Sequence, residues 1–458
     1  MTRFSFFPAA FVLLLCLPAL AGAQQRQNCE LVYAGSTNTF NQDSPNQMDF
    51  LGGGVRLRCD RGTTIIADSA VRTVMNNRLE FIGRVRYADT TRTLTSEYLQ
   101  YLGRERLIVA TQNVVLTDIK TGSTMTGPFL SYYLTTETRP EEILQMPQGR
   151  PRALLVRRAA RDTLQPAAAD TLRRDTTVVD ANLIEVIGSN RFVGRGAVEI
   201  TRGDIKGFGG EVDYAEQVNV LTLKDNARIV GEEYTLEGDT IVAEAGEGDQ
   251  FREITSRGSA QLDSKDMNVT GRGVRIYLEE GEVERLVALG VPGDADLRAE
   301  ALSEDFKLIA DSIDALAPAQ VLQTITAVGA AYGESLSADS AAAEQPELIR
   351  NDWVRGDTII ARFTEAPPPT EPSDTAGPDR VLEQLDAMAG EGEPASSLYR
   401  MRDRQAVNYL VAKRIVVKMV AGEVTTVDAD QEVHGIYLRS PGSAAQPANQ
   451  RTGGSDRR

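Results

Sequence analysis

Histidine is almost missing from this 458-residue chain: His434 is the only one. Tryptophan occurs once, cysteine three times, and aromatic residues make up 6% of the whole. Each shortage removes a class of function. A histidine-based serine or cysteine triad would depend entirely on His434, which sits in "EVHGIYL" and reads as a strand or turn histidine. One histidine and the two cysteines beyond the N-terminal stretch do not make a zinc site, so no metal and no cofactor is expected. No GxSxG stands in the chain, and no Gly-rich phosphate loop with its lysine. The run Gly52–Gly54 precedes a strand, whereas a dinucleotide loop follows one and opens a helix; it reads as a turn into a sheet.

Long apolar runs are also lacking, with one exception at the start. Arg3 precedes "FFPAAFVLLLCLPALA", and "ALAGAQQ" offers small residues for cleavage after Ala21 or Ala23. Residues 1–23 are therefore expected to be a signal peptide and are left out of the fold. Cys16 does not follow the residues that mark a lipid-modified start. No later run is long enough to cross a bilayer as a helix. Export leaves two readings for Cys29 and Cys59: a disulfide stapling the N-terminal lead-in to an early strand, or two free thiols.

The net charge of −16 is unevenly spread. Between Leu51 and Arg161 there are 17 basic and 10 acidic residues, a balance of +7. The first fifty residues sum to −1, so the stretch from Asp162 onward carries −22. An acidic body of that size argues against a nucleic-acid clamp. The basic stretch suits an anionic partner, or is ordinary surface charge.

What is abundant is alternation. "GVRLRC" puts Val55, Leu57 and Cys59 on one face, "RLEF" does so with Leu79 and Phe81, and "RVRY" with Val85 and Tyr87. "AVEI" and "GVRIY" repeat the pattern with Val198 and Ile200, and with Val274 and Ile276. Period two means strands with one sheltered side. "SEDFKLIADSIDAL" fits either an amphipathic helix or the local strand unit.

A unit of about thirty residues recurs. A turn glycine or asparagine is expected ahead of a short strand at Gly83, Asn113, Asn226, Gly258, Gly290 and Gly329, with uninterrupted steps of 30, 32, 32 and 39 residues. "TTIIADSA", "YTLEGDTI", "FKLIADSI" and "WVRGDTII" place Asp68, Asp239, Asp311 and Asp357 at comparable points. Two such carboxylates could serve a glycosidase, but regular recurrence favours turns or strand ends. Units of this kind cannot bury an apolar face alone; they stack around a shared core. Residues 146–178, rich in Pro, Ala and charge, are expected to be a linker or edge loop. The Pro-rich stretch at 365–378 is read as an insertion, and 439–458 as a disordered tail.

The order "GGGVRLRCDRGTTIIADSAV…NNRLEFIGRVRYAD…RTLTSEYLQYLGRERLIVATQNVVLTD" resembles the OstA-like N-terminal domain family, which includes LptA-like periplasmic lipopolysaccharide-transport proteins. The resemblance covers residues 51–135 well, 182–330 loosely, and fades toward 438. It implies an all-β fold: repeated antiparallel β-jellyrolls, an open V of two sheets, with a first domain at 24–145 and a longer second one at 179–438. It implies a periplasmic location, outer-membrane biogenesis, no enzyme step, and an apolar trough for acyl chains. It also implies edge-to-edge contacts with other bridge components or with a second copy. Trough candidates are Val55, Leu57, Ile65, Leu79, Phe81, Val85, Tyr87, Leu107, Val109 and Val115. In the second body they are Val198, Ile200, Ile229, Leu236, Ile254, Val274, Ile276, Leu286 and Ile325. Arg84, Arg86, Arg92, Arg104 and Arg106 are candidates for phosphate contacts at the rim, or plain surface. Two other readings stand beside this one: a sealed β-repeat scaffold or glycan-binding surface, and a carboxylate-dependent extracellular hydrolase.

Overall fold

The computed structural model describes residues 29–59, 62–157, 175–215, 218–232, 234–246, 251–265, 267–280, 282–303, 306–336, 351–365, 380–400, 406–420 and 423–439. The expected signal peptide, and all but the first residue of both the 365–378 insertion and the 439–458 tail, lie outside these residues.

The first half holds β1 (Cys29–Phe40), β2 (Met48–Cys59), β3 (Thr64–Ala67), β4 (Ser69–Thr73), β5 (Arg78–Ala88), β6 (Arg92–Leu102), β7 (Leu107–Asp118) and β8 (Thr124–Tyr133). It continues through β9 (Ile143–Met146), β10 (Arg152–Arg157), β11 (Asp175–Asp180), β12 (Leu183–Ile187), β13 (Arg191–Arg202), β14 (Ile205–Ala215) and β15 (Val220–Val230). The second half holds β16 (Tyr234–Ala245), β17 (Phe251–Ser264), β18 (Met267–Glu279), β19 (Glu282–Leu289), β20 (Ala299–Ser303), β21 (Phe306–Ala310), β22 (Ser312–Leu316) and β23 (Thr324–Ser335). It ends with β24 (Trp353–Glu365), β25 (Arg380–Met388), β26 (Ala395–Arg400), β27 (Ala406–Ala412), β28 (Arg414–Val420), β29 (Glu423–Asp430) and β30 (His434–Arg439). Among the described residues the only helical elements are two single 3-10 turns. The stretch with an ambiguous period is strand, split into β21 and β22.

All of these strands join one antiparallel meander. Each long strand, or two short strands end to end, makes one crossing, which pairs with the crossings before and after it. Thus β2 pairs with β1 on one side and with β3 and β4 on the other, and β5 pairs with both β3 and β4. The meander does not pause at the expected linker. β8 pairs with β9 and β10, these pair with β12 and β11, and both of those pair with β13. Within 146–178, β10 and the start of β11 are therefore strand, and only 158–174 lies outside the described residues. The alternation there is too short to stand out from the Pro and charge around it, yet Ala153 and Val179 are both buried.

Every crossing changes direction midway, and this corrects the reading of the recurrent glycines. They are not turns between strands. Gly83–Arg84, Gln112–Asn113, Gly196–Ala197, Asp225–Asn226, Gly258–Ser259 and Gly329–Ala330 are consecutive left-handed residues inside a crossing. Ile82 pairs with Tyr98 and Val85 with Ser96, so Gly83 and Arg84 together oppose Glu97 alone. Two residues against one is a β-bulge, which bends the strand and increases its twist. On the neighbouring crossing the kink is a single residue. The Asp68 N–H donates to the Gly83 carbonyl at 2.9 Å, and the Asp68 carbonyl accepts from Gly54 N–H at 3.0 Å. Two crossings and their turns span about thirty residues, which is the period of the sequence. Gly290 is the variant case, where β19 gives way to a short loop before β20.

The kinks line up along the meander and divide it into two half-sheets. Their inner faces share one apolar cluster running from Val55 to Ile415. The turns form two lips, one on each side of the interior. One lip carries residues 74–77, 103–106, 134–142 and 188–190; the other carries 89–91, 119–123 and 203–204.

Candidate functional site: the interior between the half-sheets

The inner faces are built from unbroken columns of apolar residues. Leu79, Tyr101, Ile108, Tyr132 and Leu144 are successive partners on successive crossings. Val55, Leu57, Ile65, Leu79, Phe81, Val85 and Tyr87 all face inward and are buried. So are Val198, Ile200, Ile229, Leu236, Ile254, Val274, Ile276, Leu286 and Ile325.

Three candidates point the other way. Leu107 and Val109 lie half-buried on the outer side of β7, and Val115 is 37% exposed. The inward residues of β7 are Ile108, Ala110, Val114 and Leu116. "LIVATQNVVL" carries apolar side chains on both parities, so alternation alone does not set its phase. Pairing with β6 does, through Tyr101↔Ile108 and Leu99↔Ala110.

The interior is closed. Phe81, Leu94, Leu99 and Leu130 are 0% exposed. Two shallow pockets, of about 340 and 480 Å³, are lined mainly by polar or kink-line residues, among them Arg414, Lys418 and Asp428 in one and Gly209, Gly210 and Asp225 in the other.

The five arginines do not form one rim. Arg84 is on the kink line, 82% exposed in its side chain, with Nη2 2.7 Å from Asp68. The hydrogen bond from Arg84 holds the Asp68 carboxyl below the usual carboxylate range. Arg86 projects outward from β5. Arg104 donates to the Met75 carbonyl at 2.5 Å, and Arg106 hydrogen-bonds the Tyr101 phenol, both in the turn after β6. Arg92 alone faces the interior at a lip. It is buried, and its Nη1 donates to Tyr132 Oη at 3.1 Å and to Glu142. Its Nη2 donates to the Gly188 carbonyl at 3.4 Å. Tyr132 and Glu142 belong to the opposite lip, so these bonds span the interior. Below them the Tyr87 and Tyr132 rings meet edge to face at 6.5 Å, one from each half-sheet. Burial works against the Arg92 charge, but Tyr132 and Glu142 outweigh it and hold its pKa above the ordinary value. Burial, aided by Asp89, pushes the Tyr87 phenol up, and burial does the same to Tyr132. Both phenols therefore remain neutral hydrogen-bonding groups.

The recurrent aspartates are engaged along the kink line. A Cβ on Gly83 would stand 2.5 Å from Asp68 Oδ2, and one on Gly329 2.4 Å from Asp311 Oδ2. Both glycines also have φ near +80 to +90°, so each is required twice over: for the backbone and for the carboxylate packed on it. Cys29 and Cys59 are joined as a disulfide at paired positions of β1 and β2. His434 is exposed at the start of β30. Among the described residues no group of three metal-ligating side chains comes together.

The arrangement is thus a kinked β-ladder with an apolar interior. Residues 26–137 match the family model described as OstA-like protein, so about a quarter of the chain carries an OstA-like segment. Among solved structures the chain is similar to LptH from Pseudomonas aeruginosa, described as the LptA homologous periplasmic component of the conserved lipopolysaccharide transport device. The identity is 15%, the match covers 28% of this chain and 82% of that one, and the TM-score is 0.23. No curated protein matches.

Proposed function

We propose that this chain is a periplasmic carrier of lipopolysaccharide or a related acylated lipid on its way to the outer membrane. One observation carries the reading: an OstA-like segment begins an unbroken apolar interior between two half-sheets. Taking a methylene out of water is worth roughly 0.8 kcal/mol, so several acyl chains supply tight binding without any reactive group. Admission requires the lips to part, because the interior is filled by its own side chains. Photo-crosslinkers at Leu57 and Phe81, which face inward, should capture acylated lipid in cells. The same crosslinker at Val109 or Val115, on the outer face, should not. No lipid at the inward positions overturns the carrier reading.

Among the described residues the ladder also ends in unpaired edges. There β1 pairs only with β2, and it exposes Leu31, Val32, Tyr33 and Phe40. At the other end, β29 and β30 each have one neighbour, and Ile436 and Tyr437 are 57% exposed. Such edges accept further strands, from bridge components or a second copy. A particle size that stays monomeric at every concentration, with no partner captured, removes that part of the reading.

A second reading is favoured by the closed interior itself: a sealed periplasmic scaffold whose half-sheets never separate. It expects the inward crosslinkers to capture nothing while the protein stays folded.

A further inference from the structure

We propose that Arg92, with Tyr132, Glu142 and Gly188, is a latch that holds the two lips together over the N-terminal interior and releases to open it. Its bonds join residues 40, 50 and 96 positions apart, none of them through strand pairing. The Arg92 Cζ also lies 5.4 Å from the Tyr132 ring centroid. Asp89 sets Arg92 in place: its Oδ1 accepts from the Arg92 N–H at 2.7 Å, while its Oδ2 accepts from Tyr87 Oη at 2.9 Å. The Glu142 carbonyl accepts from Gly188 N–H at 2.8 Å, so two of the three residues that accept from Arg92 are themselves tied together.

The chemistry distinguishes a latch from a core contact. An apolar closure would lose burial with every ångström of separation. A charged closure regains hydration instead, because both ions meet water as the lips part. The cluster stands at that boundary: the Arg92 side chain is 10% exposed and the Glu142 side chain 33%. Parting the lips therefore costs less at this point than at an apolar closure. Farther along, Arg202 on one lip lies over the Phe251 ring on the other at 5.8 Å.

The latch rests on the carrier reading only for what the opened interior would admit. Its test separates the two. Spin labels on Thr90→Cys and Glu137→Cys, exposed positions on opposite lips, report the distance across the interior in the full chain. With the latch intact a single short population is expected. Glu142→Gln, and more strongly Arg92→Met, should add a longer population. If Arg92→Met fails to fold, Glu142→Gln still decides. Both variants folded with the distance unchanged overturns the latch. In a second arm, purified lipopolysaccharide is titrated against the same variants. A tenfold larger open fraction should tighten apparent affinity roughly tenfold. Opening without any lipid binding upholds the latch and removes the carrier function; opening with tightened binding upholds both.

Discussion

The two ends of the ladder share one topology and differ in what fills it. Between Val55 and Ala153 the interior is made of Phe81, Tyr87, Tyr101, Tyr132 and large aliphatic residues. Between Leu286 and Ile415 alanine supplies more than half of the buried apolar positions, and no buried aromatic follows Phe192 among the described residues. One inner column there runs Val274, Ala288, Ile313, Ala327, Ile359, Ala387, Ile415, Ala429, each paired with the next. A branched residue thus alternates with alanine on every crossing. In a close-packed interior such small side chains let facing backbones approach more closely than aromatics would. The kinks decide that there is an interior; side-chain volume decides how wide it is. The wide end is basic, whereas the narrow end is acidic.

The comparison can be broken at several points. Because a ladder of repeats need not unfold in one step, local free energies are best read from hydrogen exchange at neighbouring amides. Phe81→Ala should cost about 3–5 kcal/mol around β5 and β6, since a filled wide interior leaves a cavity when an aromatic is removed. Ala327→Leu should cost about 1–3 kcal/mol at the narrow end, because the three added carbon atoms have no space to enter. An Ala327→Leu protein as stable as wild type would show that the narrow end is not narrow. Gly83→Ala should cost about 1–2 kcal/mol from the left-handed backbone alone, and more from the Asp68 carboxylate already in place.

A smaller effect concerns acid. Asp386 is buried on β25, where burial alone would raise its pKa. Hydrogen bonds from Arg414 at 2.8 Å, Gln384 at 2.8 Å and Arg362 outweigh burial and bring it below the usual carboxylate range. A depressed acid binds its proton more weakly folded than unfolded. Its stabilisation is therefore present above the ordinary carboxylate range and lost as pH falls through the folded pKa. Protection of the amides around β25 and β28, taken relative to their intrinsic exchange rates, should fall in acid, and Asp386→Asn should flatten that dependence. An unchanged acid profile in Asp386→Asn would show that the charge of Asp386 contributes nothing at the narrow end.

Much of this was legible in advance. Alternation located most inward residues, because a strand's side chains change face at every step whatever surrounds them. The thirty-residue recurrence of Gly, Asn and Asp was equally visible. Its meaning was not: left-handed residues suit a turn and a bulge alike, and only the pairing of Ile82 with Tyr98 and Val85 with Ser96 tells the two apart.

Sequence by itself determined a chain dominated by β-strands with a sheltered face and a repeating bend, since period and backbone preference are local properties. Tertiary structure alone decided the phase of β7, the pairing of β10 with β11, the closure of the interior, and the union of Arg92 with Glu142 and Gly188. Those outcomes depend on which crossings lie opposite one another. Residues fifty or ninety-six positions apart leave no periodic trace of their contact in the chain.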